Sequence, residues 1–364
     1  MKYLKNFMML NKTINNTYII AEIGVNHNGK YKIAEKLVKI AKNCGVDAVK
    51  FQIFNASDLS KKNAKLAPYQ LKNLKKKISQ FKMLKNLELK DKDYFNLYKL
   101  CKKIKIDFMC SVFDEKSLNF YKKNFRNSII KIPSGEITNY FLLNEININK
   151  SKVILSTGMS DFKEIAIAIN VISKKKIYIF KNNKIEIINS KRLEFLKNKL
   201  FILHCVSDYP TEKKYLNLRV LETMQNNLKL TCGFSDHTIG LDAAPIAVSK
   251  NSKIIEKHFT LNNKLKGPDH KCSLNPKQLK AYVAKIRDTE IMLGKNKKFI
   301  QSCEKKNIVS VRKSLVAKKN IRKGEIIRYS MLTAKRPANG VSPMKIKYYI
   351  NKKAKKNLKT DQNI

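Results

Sequence analysis

The sequence has 364 residues, 43% of them hydrophobic, enough to bury one large core and a small appended module. A formal charge of +48 raises nucleic acid or an anionic membrane as partners. Yet only eight of the 76 basic residues are arginine, and the lysines run the whole length without a recognition motif, so neither partner is expected.

No run approaches the roughly 18 uninterrupted apolar residues of a membrane helix. The seven cysteines are scattered and none forms a CxxC pair, which suits reduced thiols in the cytoplasm and not a disulfide framework. Residues 1–16 carry lysines and a short Phe7-Met8-Met9-Leu10 patch without a small-residue cleavage site. They read as an N-terminal extension and not as a secretory signal.

From 17 to 293, short runs rich in Val, Ile or Phe alternate with stretches of helical spacing. The runs are Tyr18–Ile23, Ala48–Ile53, Phe108–Phe113, Ile129–Ile132, Val153–Leu155, Leu200–Val206, Leu230–Phe234 and Ile254–Phe259. Each is short enough for a strand buried on both faces. Amphipathic stretches between them include Ile33–Asn43, Lys92–Lys103, Phe162–Ser173, Leu216–Asn226 and Leu241–Ser249, and Gln278–Leu293 follows the last run. Eight such units predict an α/β fold, a (β/α)8 TIM barrel. A doubly wound open sheet would show fewer strands, and no GxGxxG follows the first one.

Lys174–Lys199, rich in lysine and isoleucine, reads as a loop insertion between the fifth and sixth units. Residues 294–307 are polar and lysine-rich and read as a linker. Residues 308–364 change character: Val311–Ala317, Glu325–Ile327 and Met331–Ala334 are short strand candidates, punctuated by Lys323-Gly324, Pro337, Asn339-Gly340 and Pro343. They predict a small β-rich domain.

A barrel gathers its functional groups at the carboxyl ends of its strands. There this sequence places polar residues among hydrophobic ones. Glu22 interrupts Ile19-Ile20-Ala21 and Ile23, with Asn26-His27-Asn28-Gly29 directly after. Lys50 and Gln52 alternate with Val49, Phe51 and Ile53 and so share one strand face. Lys131 lies within its run, and Ser134-Gly135-Glu136 closes that unit. Ser156-Thr157-Gly158 ends the fifth strand, His204 to Tyr209 the sixth and Ser235-Asp236-His237 the seventh, while Glu256-Lys257-His258 lies within the last.

All five histidines (His27, His204, His237, His258 and His270) fall at or just beyond a predicted strand end. That placement suits metal ligands and proton carriers gathered at one mouth. Lys50 and Lys131 are desolvated within their strands and need negative partners. A phosphate or carboxylate substrate would serve; Glu22, Glu136 or Glu256 are structural alternatives, and a Schiff-base lysine is a third reading. Two equivalent lysines beside histidines favour the anion clamp.

These residues sit in segments that resemble one family, the N-acetylneuraminate (sialic acid) synthases with their legionaminate and pseudaminate relatives. The segments are Ile20-Ala-Glu-Ile-Gly-Val-Asn-His-Asn-Gly29, Asp47-Ala-Val-Lys-Phe-Gln52, Lys131-Ile-Pro-Ser-Gly-Glu136 and Leu155-Ser-Thr-Gly-Met159. They continue with Leu203-His-Cys-Val-Ser-Asp-Tyr-Pro210, Gly233-Phe-Ser-Asp-His-Thr-Ile-Gly240, Ile255-Glu-Lys-His-Phe-Thr260 and Gly267-Pro-Asp-His-Lys271. They follow the family's order and cover the barrel nearly end to end. The tail, from Arg312-Lys-Ser-Leu-Val-Ala317 through Lys335-Arg-Pro-Ala-Asn-Gly-Val-Ser-Pro343, resembles its antifreeze-like (SAF) domain.

The resemblance implies a reaction: phosphoenolpyruvate condenses with the aldehyde of an N-acetylated amino sugar, N-acetylmannosamine or a 2,4-diacetamido-trideoxy analogue. The products are a nonulosonic acid and phosphate, formed by metal-assisted aldol-like carbon–carbon bonding with carbon–oxygen cleavage. It implies that His237 and His258 hold a divalent metal, manganese or magnesium. By the same resemblance Lys50, Gln52, Lys131, Ser134, Ser156 and Ser235 contact phosphoenolpyruvate. Glu22, Glu136, Tyr209 and Asp269 fall where the sugar and proton-transfer groups sit. Arg312 is implied to reach from the tail of one protomer into its partner's site, in a domain-swapped homodimer.

Overall fold

The computed structural model describes residues 16–74, 78–125 and 129–364, so residues 1–15 of the expected extension lie outside it. Among the described residues ten strands precede the tail: β1 (Tyr18–Gly24), β2 (Ala48–Ile53), β3 (Asp107–Val112), β4 (Ile130–Ile132), β5 (Val153–Ser156), β6 (Tyr178–Lys181), β7 (Lys184–Ile187), β8 (Leu200–Cys205), β9 (Thr231–Asp236) and β10 (Ile254–His258). All but β6 and β7 join in one closed barrel of parallel strands in which β1 pairs with both β2 and β10. The eight apolar runs of the sequence become these eight strands, with ends shifted by one or two residues.

Side chains alternate along each strand between two layers. The outward set, including Ile19, Val49, Cys110, Leu155, Ile202 and Phe234, packs beneath the helices in one continuous core. Helix Tyr31–Asn43 shows why: its buried Ala34, Leu37, Val38 and Ala41 form a single stripe at helical spacing. Helix Pro276–Leu293 begins at a reciprocal cap in which Asn275 accepts from the Gln278 amide and Gln278 accepts from the Asn275 amide.

The inward set starts apolar, with Tyr18, Ile20, Ala48, Met109, Ile154, Phe201, Leu203 and Ile254 filling the lower barrel. Two residues further along the same faces come Glu22, Lys50, Ser111, Ser156 and Glu256, all buried. Strand parity therefore delivers the polar side chains to one end of the interior.

Gly233 on β9 shows how tightly this interior closes. A Cβ there would meet Ile254 O and Leu203 Cδ2 at 2.5 Å and Ile254 Cβ at 2.8 Å. A strand carbonyl cannot step aside, so Gly233→Ala is expected to destabilise the barrel by about 3 kcal/mol. A urea melt checks this; an unchanged midpoint would contradict the close approach.

Two stretches depart from expectation. Residues 174–199 are not a loop: β6 and β7 form an antiparallel hairpin, followed by helix Ser190–Leu196. Asn170 fixes the hairpin, its Oδ1 accepting from the Ile177 and Tyr178 amides (2.7 and 3.0 Å) while Nδ2 donates to Tyr178 O (2.8 Å). The connection after β2 carries helices Ala56–Leu59, Pro68–Leu74 and Gln80–Lys85, too short to show a helical stripe in the sequence.

A second compact unit begins at Lys295. Helix Ser302–Val311 covers the end of the stretch expected to be a linker, from Ser302 on, and also takes up Val311, so the first tail strand is only β11 (Ser314–Ala317). It pairs antiparallel with β12 (Leu332–Lys335), whereas Glu325–Ile327 makes no strand, only an isolated bridge from Ile326 to Lys353. Leu315, Ala317, Ile321, Ile327 and Leu332 belong to a small core of this unit's own. Among the described residues no helix is long and apolar enough to cross a membrane, and all seven cysteines are free thiols.

Candidate active site

The polar strand ends line a cavity of about 630 Å³, a size suited to small metabolites. Its base is an interleaved set of charges. Lys50 Nζ lies 2.5 Å from Glu22 Oε2 and 3.6 Å from Glu256 Oε2, and donates to Ser111 Oγ at 3.0 Å. Lys131 Nζ donates to Ser156 Oγ (2.7 Å) and to Glu256 Oε1 (3.4 Å). Ser235 Oγ donates to the same Glu256 oxygen at 2.8 Å, and Gln52 Nε2 donates to Glu22 Oε1 at 2.9 Å.

The two lysines are thus already compensated by protein carboxylates, the structural alternative open from the sequence, with Glu22 and Glu256 in that place and Glu136 bonded instead to Asn139. Burial pushes the Glu22 carboxyl up, more than Lys50 draws it down. Glu256 faces the same burial, but Lys131 and Lys50 together outweigh it and hold its carboxyl low. For Lys131, burial wins over Glu256 and the ammonium loses its proton more readily than an exposed lysine.

Two imidazoles stand above this base. His237 and His258 have ring centroids 5.6 Å apart, with the Tyr209 ring 4.2 Å from the first and 5.6 Å from the second. His237 Nδ1 meets Val206 O at 2.6 Å. A carbonyl only accepts, so Nδ1 carries the hydrogen and Nε2 presents its lone pair. Burial holds His237 neutral, its pKa lowered to about 4. His258 is likewise held well below the ordinary imidazole value, by burial, by His237 and by Lys50. Its Nδ1 has no hydrogen-bond partner and lies 3.8 Å from Asp269 Oδ2. Burial, reinforced by Glu22, raises the Asp269 carboxyl to about 7.

This arrangement fits a divalent cation. Two neutral imidazoles, His237 oriented by a backbone carbonyl with Nε2 3.2 Å from Ser235 Oγ and His258 with Nδ1 unbonded, suit metal-binding histidines. The spacing lies within the roughly 6 Å that two rings bound to one ion can span. Among the described residues there is no group of three or more His, Cys, Asp or Glu side chains placed to ligate. Substrate and water oxygens would complete the coordination of a manganese- or magnesium-like ion.

The barrel residues given a substrate, metal or proton-transfer role by the resemblance all border this one cavity, including Ser134, Glu136 and Tyr209. Ser134 Oγ accepts from the Gly158 amide at 3.0 Å, and Glu136 accepts from Asn139 Nδ2 at 2.7 Å. Arg312 belongs to the second unit and is exposed there, directly after helix Ser302–Val311.

The reading of five histidines at one mouth does not hold. Only His237 and His258 line the cavity. His204 faces outward, stacked on Phe234, with Nε2 bonded to Leu216 O (2.8 Å). His27 accepts from the Gly29 amide, and His270 bonds Thr260 and Asn28, so these three make protein contacts away from the cavity. Glu256, one of the three glutamates open as a partner for the lysines, bridges both of them, and its parity with Ile254 and His258 was the available signal. One contributor had no role assigned from the sequence. The wall formed by Leu59, Tyr69, Met83, Leu84 and Leu87 comes from the short helices after β2, which left no periodic trace.

Fold and site define a TIM-barrel enzyme for a small polar substrate, with a small second domain. The NeuB family profile matches residues 37–298 and the SAF domain profile residues 312–364. An N,N'-diacetyllegionaminic acid synthase from Campylobacter jejuni is 42% identical over 96% of this chain and 98% of its own length. The Legionella pneumophila enzyme of the same name is 38% identical over 94% of this chain and 91% of its own. The crystal structure of an N-acetylneuraminic acid (sialic acid) synthetase from Leptospira borgpetersenii superposes with a TM-score of 0.65 at 28% identity, covering 81% of this chain and 90% of that one. The chain belongs to the NeuB family, as an enzyme of the sialic- and legionaminic-acid synthase type.

Proposed function

We propose that this enzyme condenses phosphoenolpyruvate with the open-chain aldehyde of a neutral, N-acetylated amino sugar to give a nonulosonic acid and phosphate. The observation that carries the reading is the convergence of Lys50, Lys131, His237 and His258 in one cavity. Lys50 and Lys131, with Ser134, Ser156 and Ser235, would receive the phosphate and carboxylate of phosphoenolpyruvate. A divalent ion at His237 and His258 would act as a Lewis acid toward the aldehyde oxygen.

In the reaction the methylene carbon of phosphoenolpyruvate bonds to the aldehyde carbon, and water adds to the former enol carbon. Phosphate then leaves with its bridging oxygen, and a keto acid remains. Asp269, with its carboxyl raised to about 7, suits protonation of the new hydroxyl. Glu22 and Glu136, both raised by burial, are the candidates to take the proton of the attacking water.

The cavity also bears on the sugar. Its lining has two cations, Lys50 and Lys131, against five carboxyl groups: Glu22, Glu136, Asp208, Glu256 and Asp269. With both lysines engaged at the base, a phosphate at the far end of the sugar would meet carboxylates and an apolar wall. Leu59, Met83, Leu84 and Leu87 instead suit methyl and acetamido groups. This favours 2,4-diacetamido-2,4,6-trideoxymannose, then N-acetylmannosamine, over a sugar phosphate.

The excess of acid around an anionic substrate further supports a bound cation, and an arginine supplied by the second domain of a partner protomer. Phosphate release measured with each sugar tests the proposal. The diacetamido sugar should exceed N-acetylmannosamine 6-phosphate about 100-fold in kcat/KM, since each unpaired desolvated charge weighs several kcal/mol. Chelation should abolish turnover and manganese or magnesium restore it. Equal inactivity with every sugar would defeat the reading.

A further inference from the structure

Behind the two cavity histidines, on the outer face of the barrel, lies an ion pair that the proposed chemistry does not touch. Asp236 ends β9, Lys257 is the fourth residue of β10, and the parallel ladder sets them side by side. Both side chains are fully buried, 3.1 Å apart. Lys257 also donates to Thr238 O. The Asp236 carboxylate accepts from the Thr238 amide (2.9 Å) and hydroxyl (2.7 Å), and from the hydroxyl of Tyr282 (2.9 Å) on helix Pro276–Leu293.

A dehydrated ion pair is a weak source of stability, because desolvating both groups offsets their attraction, and apolar side chains of similar volume would serve the core as well. Its sequence neighbours suggest another use. His237 follows Asp236, and His258 follows Lys257. Successive side chains point to opposite faces, so fastening Asp236 and Lys257 outward turns Ser235, His237, Glu256 and His258 inward. A slip of one residue between β9 and β10 would send one imidazole to the helix layer. Apolar neighbours resist such a slip weakly, since one packs much like the next; a buried charge pair, which a slip would part, does not tolerate it.

We infer that the Lys257–Asp236 pair, held by Thr238 and Tyr282, is a positioning device. It fixes the register of β9 against β10 so that His237 and His258 face each other at the spacing one divalent cation needs. The inference rests on the metal reading proposed above, and it concerns residues that touch neither substrate nor metal.

Manganese titration of the full-length protein by calorimetry, alongside thermal melts, tests it. The paired variant Asp236→Leu/Lys257→Met keeps the volume and removes both charges. It should fold with a melting temperature close to the parent's while its manganese affinity falls at least tenfold, within the range of about 10- to 100-fold for groups that orient metal ligands. Tyr282→Phe, which removes one hydrogen bond to Asp236, should weaken manganese several-fold.

A folded double variant with parental affinity overturns the inference. If the double variant does not fold, Tyr282→Phe decides, and unchanged affinity there overturns it equally. Parent and His258→Ala proteins that bind manganese alike would instead remove the metal reading, and the inference with it.

Discussion

Replacing Lys50 by methionine is expected to cost the barrel about 3–5 kcal/mol of stability, the usual penalty for removing one partner of a buried pair. Lys50 stands between two carboxylates, 2.5 Å from Glu22 and 3.6 Å from Glu256, all buried. Without it only Lys131 remains to balance them. Turnover should fall about 10³-fold, as for loss of one preorganised charge-stabilising donor.

Glu22 supplies an internal check. Its carboxyl is already raised by burial, and without Lys50 it would rise further. An acid whose folded pKa exceeds its unfolded value stabilises the fold below the unfolded pKa, and that contribution is lost as pH rises through the folded one. The deficit of Lys50→Met should therefore shrink as pH falls from neutrality toward the ordinary glutamate value of about 4.3. Adding Glu22→Gln should recover most of the stability at pH 7 but none of the activity. Urea melts across pH, with phosphate release, read both quantities; a single variant as stable as the parent would mean the charges are not desolvated together.

Removing the second unit after Gly294 should leave a folded barrel whose kcat/KM is lower by about 10²-fold or more, through lost water exclusion and positioning. The barrel has its own continuous core, and the tail has a separate one. The segments that follow β4, β5 and β9 expose Phe141 (73%), Met159 (74%) and Ile239 (63%), apolar surface that calls for a cover. The expected cover is the tail of the partner protomer, proposed above as the source of an arginine. Arg312→Ala should reproduce much of the loss without affecting the melt.

Mixing distinguishes a partner's tail from the protomer's own. Arg312→Ala and His258→Ala proteins, each inactive, should together regain about a quarter of parental activity, because half the dimers are mixed and each holds one complete site. No recovery on mixing would place the cap in its own chain.

Much of this was legible in the order of residues. Strands buried on both faces leave unbroken apolar runs, so the eight barrel strands and their ends could be read directly, and polar interruptions such as Glu22, Lys50 and Lys131 marked the rim. The misreadings have one origin. Proximity to a strand end does not say which face a side chain occupies: His204 follows inward Leu203 and therefore points to the helices, while His27 and His270 are spent on loop hydrogen bonds. The helices after β2 have four to seven residues, too few for a period to register, yet they supply the apolar wall.

The sequence by itself determined the barrel, its open end and the chemical types gathered there, because these follow from local alternation and burial. Only the tertiary structure decided the pairings. Glu256 reaches Lys131 across 125 positions of chain, and Asp236 meets Lys257 because β9 and β10 align in one register. Such contacts depend on ring closure and strand offset, which no local pattern encodes, and they decide that the two lysines, open to an anionic substrate or to a glutamate, are members of a neutralised cluster.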